Sequence, residues 1–150
     1  ALNDRIYRTV NDGVYKAGFA TTQSAYEEAV GPLFETLDWL EARLSQRRYL
    51  CGERMTEADI RLIPTLLRFD LVYYSHFKCN ARRIADYPGL SGYVREIYQM
   101  PGVAATFDAV HVKGHYYESH RTLNPSGIVP VGPAIDFGAP HDRARLAHGR

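Results

Sequence analysis

With 150 residues, 45% of them hydrophobic and 23% charged, the chain has the make-up of a globular domain that buries one sizeable core. A formal net charge of +1 gives no field for gripping nucleic acid or an anionic membrane. No apolar run approaches the ~18 residues needed to span a bilayer. The start, Ala1-Leu2-Asn3-Asp4-Arg5, lacks the apolar stretch of a signal peptide. The absence of an initial methionine reads as a piece of a longer protein.

Residues 3–18 read as a first helix, capped by Asn3 or Asp4, with Ile6, Val10 and Val14 on one face and Gly18 at its end. Thr22 or Ser24 starts a second. Tyr26, Ala29, Val30, Leu33, Leu37, Leu40 and Leu44 keep helical spacing along it, with a bend expected at Pro32. The link Arg48-Tyr49-Leu50-Cys51-Gly52-Glu53 leads to Met55-Thr56-Glu57-Ala58-Asp59-Ile60. There Thr56 is an N-cap and Asp59, three residues on, reaches back to the Thr56 N–H as a capping box. Met55 and Ile60 occupy the positions of a hydrophobic staple.

The capped helix is expected to run from Thr56 to about Tyr74 with a kink at Pro64, turning Ile60, Ile63, Leu66, Leu67 and Leu71 inward. Arg61, Arg68 and Asp70 interrupt its apolar run, and any of them that is buried must be paired. His76–Asn80 reads as a corner, Arg82–Asp86 as a short helix and Tyr87-Pro88-Gly89 as a turn. Leu90, Tyr93, Val94, Ile97 and Tyr98 mark another helix. Pro101 is placed to open a last one, with Val103, Phe107 and Val110 inward. Residues 1–120 thus form an all-α bundle. Residues 121–150 form an extended tail, punctuated by Asn124-Pro125, Val129-Pro130, Gly132-Pro133 and Ala139-Pro140. Ile128, Val129, Val131, Ile135 and Phe137 are apolar enough to dock it on the bundle, and beyond Pro140 it is expected to fray.

Eleven tyrosines stand against six phenylalanines, a balance suited to a pocket that holds rings and also donates hydrogen bonds. Cys51 and Cys79 lack Cys-x-x-Cys spacing, so neither a disulfide framework nor a thiolate zinc site is expected. Both read as reduced thiols, which fits a cytoplasmic location. His111, His115 and His120 have a spacing that could hold a metal. Gly114 intervenes and no carboxylate is suitably placed, so solvated histidines and no metal are expected.

The segments Val10-Asn11-Asp12-Gly13-Val14-Tyr15-Lys16-Ala17-Gly18-Phe19-Ala20, Arg68-Phe69-Asp70-Leu71-Val72-Tyr73, Phe77-Lys78-Cys79-Asn80, His115-Tyr116-Tyr117-Glu118-Ser119-His120 and Asn124-Pro125-Ser126-Gly127-Ile128-Val129-Pro130 come in this order. Together with the capped helix they resemble the helical C-terminal domain of glutathione transferases. Within that superfamily the resemblance is to the Xi class, the glutathionyl-hydroquinone reductases, and it extends to about residue 140. Asp12 departs from the family pattern, which often has Asn there. The resemblance implies a two-domain dimeric enzyme. A thioredoxin-like N-terminal domain, absent from this chain, would bind glutathione and carry a nucleophilic cysteine before Pro. Neither Cys51 nor Cys79 precedes Pro, so no catalytic residue is expected here.

The resemblance assigns to this domain the dimer contact and the second wall of a site for hydroquinone or quinone-type molecules. That wall is lined by Tyr15 and Tyr116 and, less directly, Tyr117. Tyr15 is placed near the end of the first helix and Tyr116 just after the last. Adjacent tyrosines on a helix cannot both face one pocket, so one of Tyr116 and Tyr117 is structural. Thr56 and Asp59 are structural caps, and Tyr73 and Tyr74 either approach the pocket or pack the core, the second being the preferred reading. The alternatives are a helical domain of this fold used only for protein interaction, or part of a conventional conjugating transferase. The first needs no pocket tyrosines, and the second would use Ser or Tyr rather than a cysteine to activate glutathione.

Overall fold

The computed structural model describes residues 1–148. Among these the regular elements are all helical. They are α1 (Leu2–Ile6), α2 (Gly13–Gly18), α3 (Gln23–Leu44), α4 (Glu57–Arg68), α5 (Pro88–Tyr98) and α6 (Ala109–Ser119). No helix of the described residues is long and apolar enough to cross a membrane.

The first helical stretch differs from expectation in register. It begins at Ala1 rather than Asn3 or Asp4, and the π-helical turn Tyr7–Asn11 separates α1 from α2. Ile6, Val10 and Val14 are fully buried, and Gly18 closes the stretch as expected. Asn11 ties it to α4 by donating to the Arg61 carbonyl at 3.0 Å and to the Thr65 hydroxyl at 2.7 Å. Asp12 forms an ion pair with Lys16 at 2.8 Å, a local contact on the surface. Thr22 caps α3 through Ala25 N–H, and the helix runs unbroken through Pro32.

The cap of α4 is built around a carboxylate. Asp59 is fully buried and accepts from Thr56 N–H at 2.8 Å, Thr56 hydroxyl at 3.0 Å, Leu50 N–H at 2.9 Å and Tyr93 hydroxyl at 2.9 Å. The staple does not form a buried contact: Met55 is 41% and Ile60 58% exposed, which corrects the inward placement of Ile60. Pro64 shares the outer face with Ile60, so the Ile60 carbonyl that Pro64 cannot bond is on the water side. Ile63, Leu66, Leu67 and Leu71 are buried. The helix does not continue to Tyr74 in one geometry but passes at Arg68 into a second π-helical turn, Phe69–Tyr73. Asp70, buried as this turn forms, accepts from Ile84 N–H at 2.6 Å and Ala85 N–H at 3.0 Å. It thereby starts the short 3₁₀ turn Ile84–Asp86.

Two expected boundaries move. Pro88 is not in a turn but opens α5, where the Glu41 carboxylate accepts from Gly89 and Leu90 N–H at 2.8 and 2.7 Å. Pro101 does not open the last helix. Asp108 does, its carboxylate accepting from Val110 and His111 N–H at 2.9 and 3.0 Å. The later start turns Val110 outward, 82% exposed. Asp108 wins because it satisfies free N–H groups of the first turn, which Pro101 cannot do.

The tail crosses the bundle without regular structure to Arg143 and is fastened at intervals. Asn124 donates to the Tyr117 carbonyl, Lys113 to those of Val131 and Gly132, and Gln99 to those of Phe137 and Ala139. Phe137 packs on Tyr98 and Phe107, whereas Ile128 and Val131 stay exposed and do not dock. Beyond Pro140 the expected fraying is overturned at Arg143, which is 2% exposed. Its guanidinium donates to Glu96 and to the carbonyls of Leu44, Gly89, Arg47 and Arg48. A side chain at Gly92 would meet the Arg143 chain at 3.3 Å, so a glycine leaves the room it needs. Fraying expected at Gly149 and Arg150 lies outside the described residues.

Candidate functional site

Tyr15 and Tyr116, separated by 101 residues in sequence, bring their hydroxyl oxygens to 2.5 Å. Tyr15 stands on α2. Tyr116 stands within α6, not after it as expected, because Asp108 shifts that helix toward the tail. A third phenol joins them: Tyr73 at the end of the second π-helical turn, its hydroxyl 2.8 Å from that of Tyr116. Both π-helical turns adjoin this cluster, one just ahead of α2 and the other carrying Tyr73. Such turns add a residue to the helix and re-aim the side chains beyond it, and they are frequent at functional sites.

Phe77 forms the floor. Its ring stacks on Tyr73 at 5.4 Å and 17°, and meets Tyr15 edge-on at 5.3 Å. Gly18 allows this approach, because a Cβ there would fall 2.3 Å from the Phe77 ring. The cluster opens to one side, where Tyr15 is 38% and Phe19 45% exposed, while Tyr73, Tyr116 and Phe77 are buried. Burial, followed by hydrogen bonding to Tyr15, pushes the Tyr116 phenol up to about 12. Burial and the Tyr116 hydroxyl raise Tyr73 further. Both are donors at neutral pH, as a site for a developing oxyanion needs.

Tyr117 points elsewhere. It bonds the Ser75 hydroxyl and packs on His76 at 4.6 Å, so of the adjacent pair it is Tyr116 that joins the phenol cluster. His76 Nε2 and His120 Nδ1 lie 3.1 Å apart, and the His120 ring meets Phe19 edge-on at 5.1 Å beside the opening. Burial, then the charge of His120, lowers His76 to about 4. His120 is therefore engaged with His76 rather than solvated, while His111 and His115 are exposed. Among the described residues no group of three or more His, Cys, Asp or Glu side chains could hold a metal ion.

The sequence reading missed Tyr73 as a bonded member of the cluster, and the His76–His120 pair. Tyr73 and Phe77, four apart, carried a usable signal, but an apolar helical period hides which ring has a polar partner. Cys79 is buried 4.0 Å from the Val14 carbonyl, and burial pushes its thiol up to about 12, which keeps it protonated and unreactive. A separate cavity of about 250 Å³ lies under tail residues 133–137 against Leu66, Ile84 and Val94 and holds none of the three phenols.

Residues 23–96 match the family described as glutathione S-transferase, C-terminal domain. The chain is 62% identical over 133 residues to the glutathionyl-hydroquinone reductase PcpF of Sphingobium chlorophenolicum, with 89% of this chain and 42% of that protein covered. It is 58% identical over 142 residues to the glutathionyl-hydroquinone reductase YqjG of Escherichia coli, with 95% and 43% covered. The fold superposes on the glutathione-bound structure of YqjG with a TM-score of 0.93 at 57% identity, over 95% of this chain and 47% of that one. On a Xi-class transferase from Natrialba magadii the TM-score is 0.95 at 48% identity, over 97% and 44%. The chain belongs to the glutathione transferase C-terminal domain family, in its Xi-class branch. It spans less than half the length of these relatives.

Proposed function

We propose that this domain is the substrate-binding and dimerising half of a cytoplasmic, two-domain reductase that removes glutathione from glutathionyl-hydroquinones. The thioredoxin-like half, with its nucleophilic cysteine, lies in polypeptide outside this chain. The observation that carries the reading is the convergence of Tyr15 and Tyr116 at an open aromatic face. The names of the relatives PcpF and YqjG support it, as does the glutathione bound in the YqjG structure.

In the proposed chemistry a cysteine thiolate attacks the sulfur of the glutathionyl ring held in its keto form. A sulfur–sulfur bond forms, the carbon–sulfur bond breaks, and its electron pair passes into the ring to give a phenolate. Departure from carbon is difficult unless the oxygen that gains charge is met by fixed donors. The Tyr15–Tyr116 pair supplies them, in an apolar setting that strengthens each bond. The phenolate then takes up a proton and leaves as hydroquinone. A second glutathione attacks the enzyme–glutathione disulfide, giving oxidised glutathione and restoring the thiolate.

Phe19, packed on the buried Phe77, offers a face for the ring, and Tyr117 holds the corner that carries His76. The test is turnover by the two-domain enzyme of a glutathionyl-hydroquinone with free glutathione. Equal amounts of hydroquinone and oxidised glutathione are expected, and no turnover would contradict the proposal.

A further inference from the structure

We infer that the cavity beneath the tail is a binding site for a small aromatic carboxylate, with Arg95 as its anion-binding group. The cavity contains none of the three phenols, and the inference stands apart from the reductase reading.

The walls select a ring. Leu66 of α4, Ile84 of the short 3₁₀ turn and Val94 of α5 are buried on the bundle side, and Ile135 and Phe137 close the tail side. The tail is held in place here. Gln99 donates to the Phe137 and Ala139 carbonyls, and the Phe137 ring packs on Tyr98 and Phe107. A volume of about 250 Å³ exceeds the ~150 Å³ at which an apolar cavity already admits benzene, and the surplus leaves room for one small substituent.

Unused hydrogen-bonding capacity selects an acceptor. Ser91 and Arg95 stand one turn apart on α5, and both line the cavity. Among the described residues neither the Ser91 hydroxyl nor the Arg95 guanidinium has a partner, and Arg95 Nε is buried without an acceptor. Folded proteins rarely leave such a group unmet, a charged one least of all. The other charged groups around the cavity are already engaged. Asp70 accepts from Ile84 and Ala85 N–H, Arg83 pairs with Asp86, and Asp136, exposed at the rim, accepts from Gly138 N–H. Two donors therefore remain, one of them cationic, beside apolar walls. A carboxylate on a ring matches both features: its oxygens accept from Arg95 and Ser91 while the ring lies against Leu66 and Val94. A neutral ring would leave Arg95 unmet, and a bare anion would leave the apolar walls without contact.

Calorimetric titration of the two-domain enzyme with benzoate tests this. A site with Kd below about 1 mM is expected. Arg95→Gln should weaken it at least about tenfold. Benzamide, which keeps the shape of benzoate without its charge, should bind the wild type at least about tenfold more weakly. The ring protons of bound benzoate should show nuclear Overhauser contacts to the Ile84 and Val94 methyl groups of the wild type, a readout that needs no variant. An absent site, a smaller loss in either comparison, or contacts only to methyl groups elsewhere overturns the inference. Binding lost in Tyr116→Phe but kept in Arg95→Gln would put benzoate on the aromatic face instead, and also overturns it.

Discussion

Asp59 carries more of the fold than its place in a capping box implies. A carboxylate can be buried only if its lone pairs are met, and here two backbone N–H groups and two hydroxyls meet them. It joins the Leu50 link, the start of α4 and the middle of α5 at one point. Thr56→Ala removes one of these hydroxyls and is expected to cost about 1 kcal/mol. Asp59→Ala leaves buried donors without an acceptor and is expected to cost about 3 kcal/mol or more. Urea unfolding of the two variants separates these values. The sequence pointed to Asp59 as a cap because the motif is local. It could not show Tyr93, 34 residues away, as a partner.

His76 makes a pH-dependent contribution at the same scale. Its folded pKa of about 4 lies below the ordinary 6.5, because burial opposes the charged ring. The stability from keeping it neutral is present above pH 6.5. It is lost as pH falls through 4, where the folded protein must also take up the proton. The urea midpoint is expected to drop across that window, and His76→Phe to make the drop shallower.

At the scale of elements, helices with a strong periodic face were legible: α3, α4 and α5 stand where their apolar spacing put them. Boundaries set by side chains that compete for the same N–H groups were not. Asp108 displaced Pro101, and Glu41 from α3 made Pro88 a helix start. The π-helical turns left no periodic trace because each shifts the register by a single residue. The tail's last anchor was equally hidden, since a lone Arg143 in a polar stretch carries no pattern. Its guanidinium pairs with Glu96, donates to the Leu44 carbonyl at the end of α3 and to that of Arg47 just beyond, and lies over the Tyr93 ring at 5.6 Å. Arg143→Ala is expected to cost about 3 kcal/mol. Arg143→Lys should recover little of this, because a single ammonium cannot reach acceptors on several sides. Thermal unfolding of both variants checks the claim.

For the whole molecule, the all-α class and the family were readable because five ordered segments and the capped helix agreed with each other. The convergence of Tyr15 and Tyr116 came from that resemblance, not from spacing, since nothing local links residues 101 apart. The fold does so by packing Tyr15 of α2 and Tyr116 of α6 against the Phe77 ring, which leaves one aromatic face open. A helical module used only for contacts would have no need of three phenols bonded in series beside such a face. The central claim is that these phenols stabilise the oxygen of the departing hydroquinone. It is tested most directly by single-turnover hydroquinone release from the two-domain enzyme, wild type against Tyr116→Phe. Release is expected to slow about 10²-fold, while glutathione resolves the mixed disulfide at an unchanged rate. Release at the wild-type rate would contradict the account.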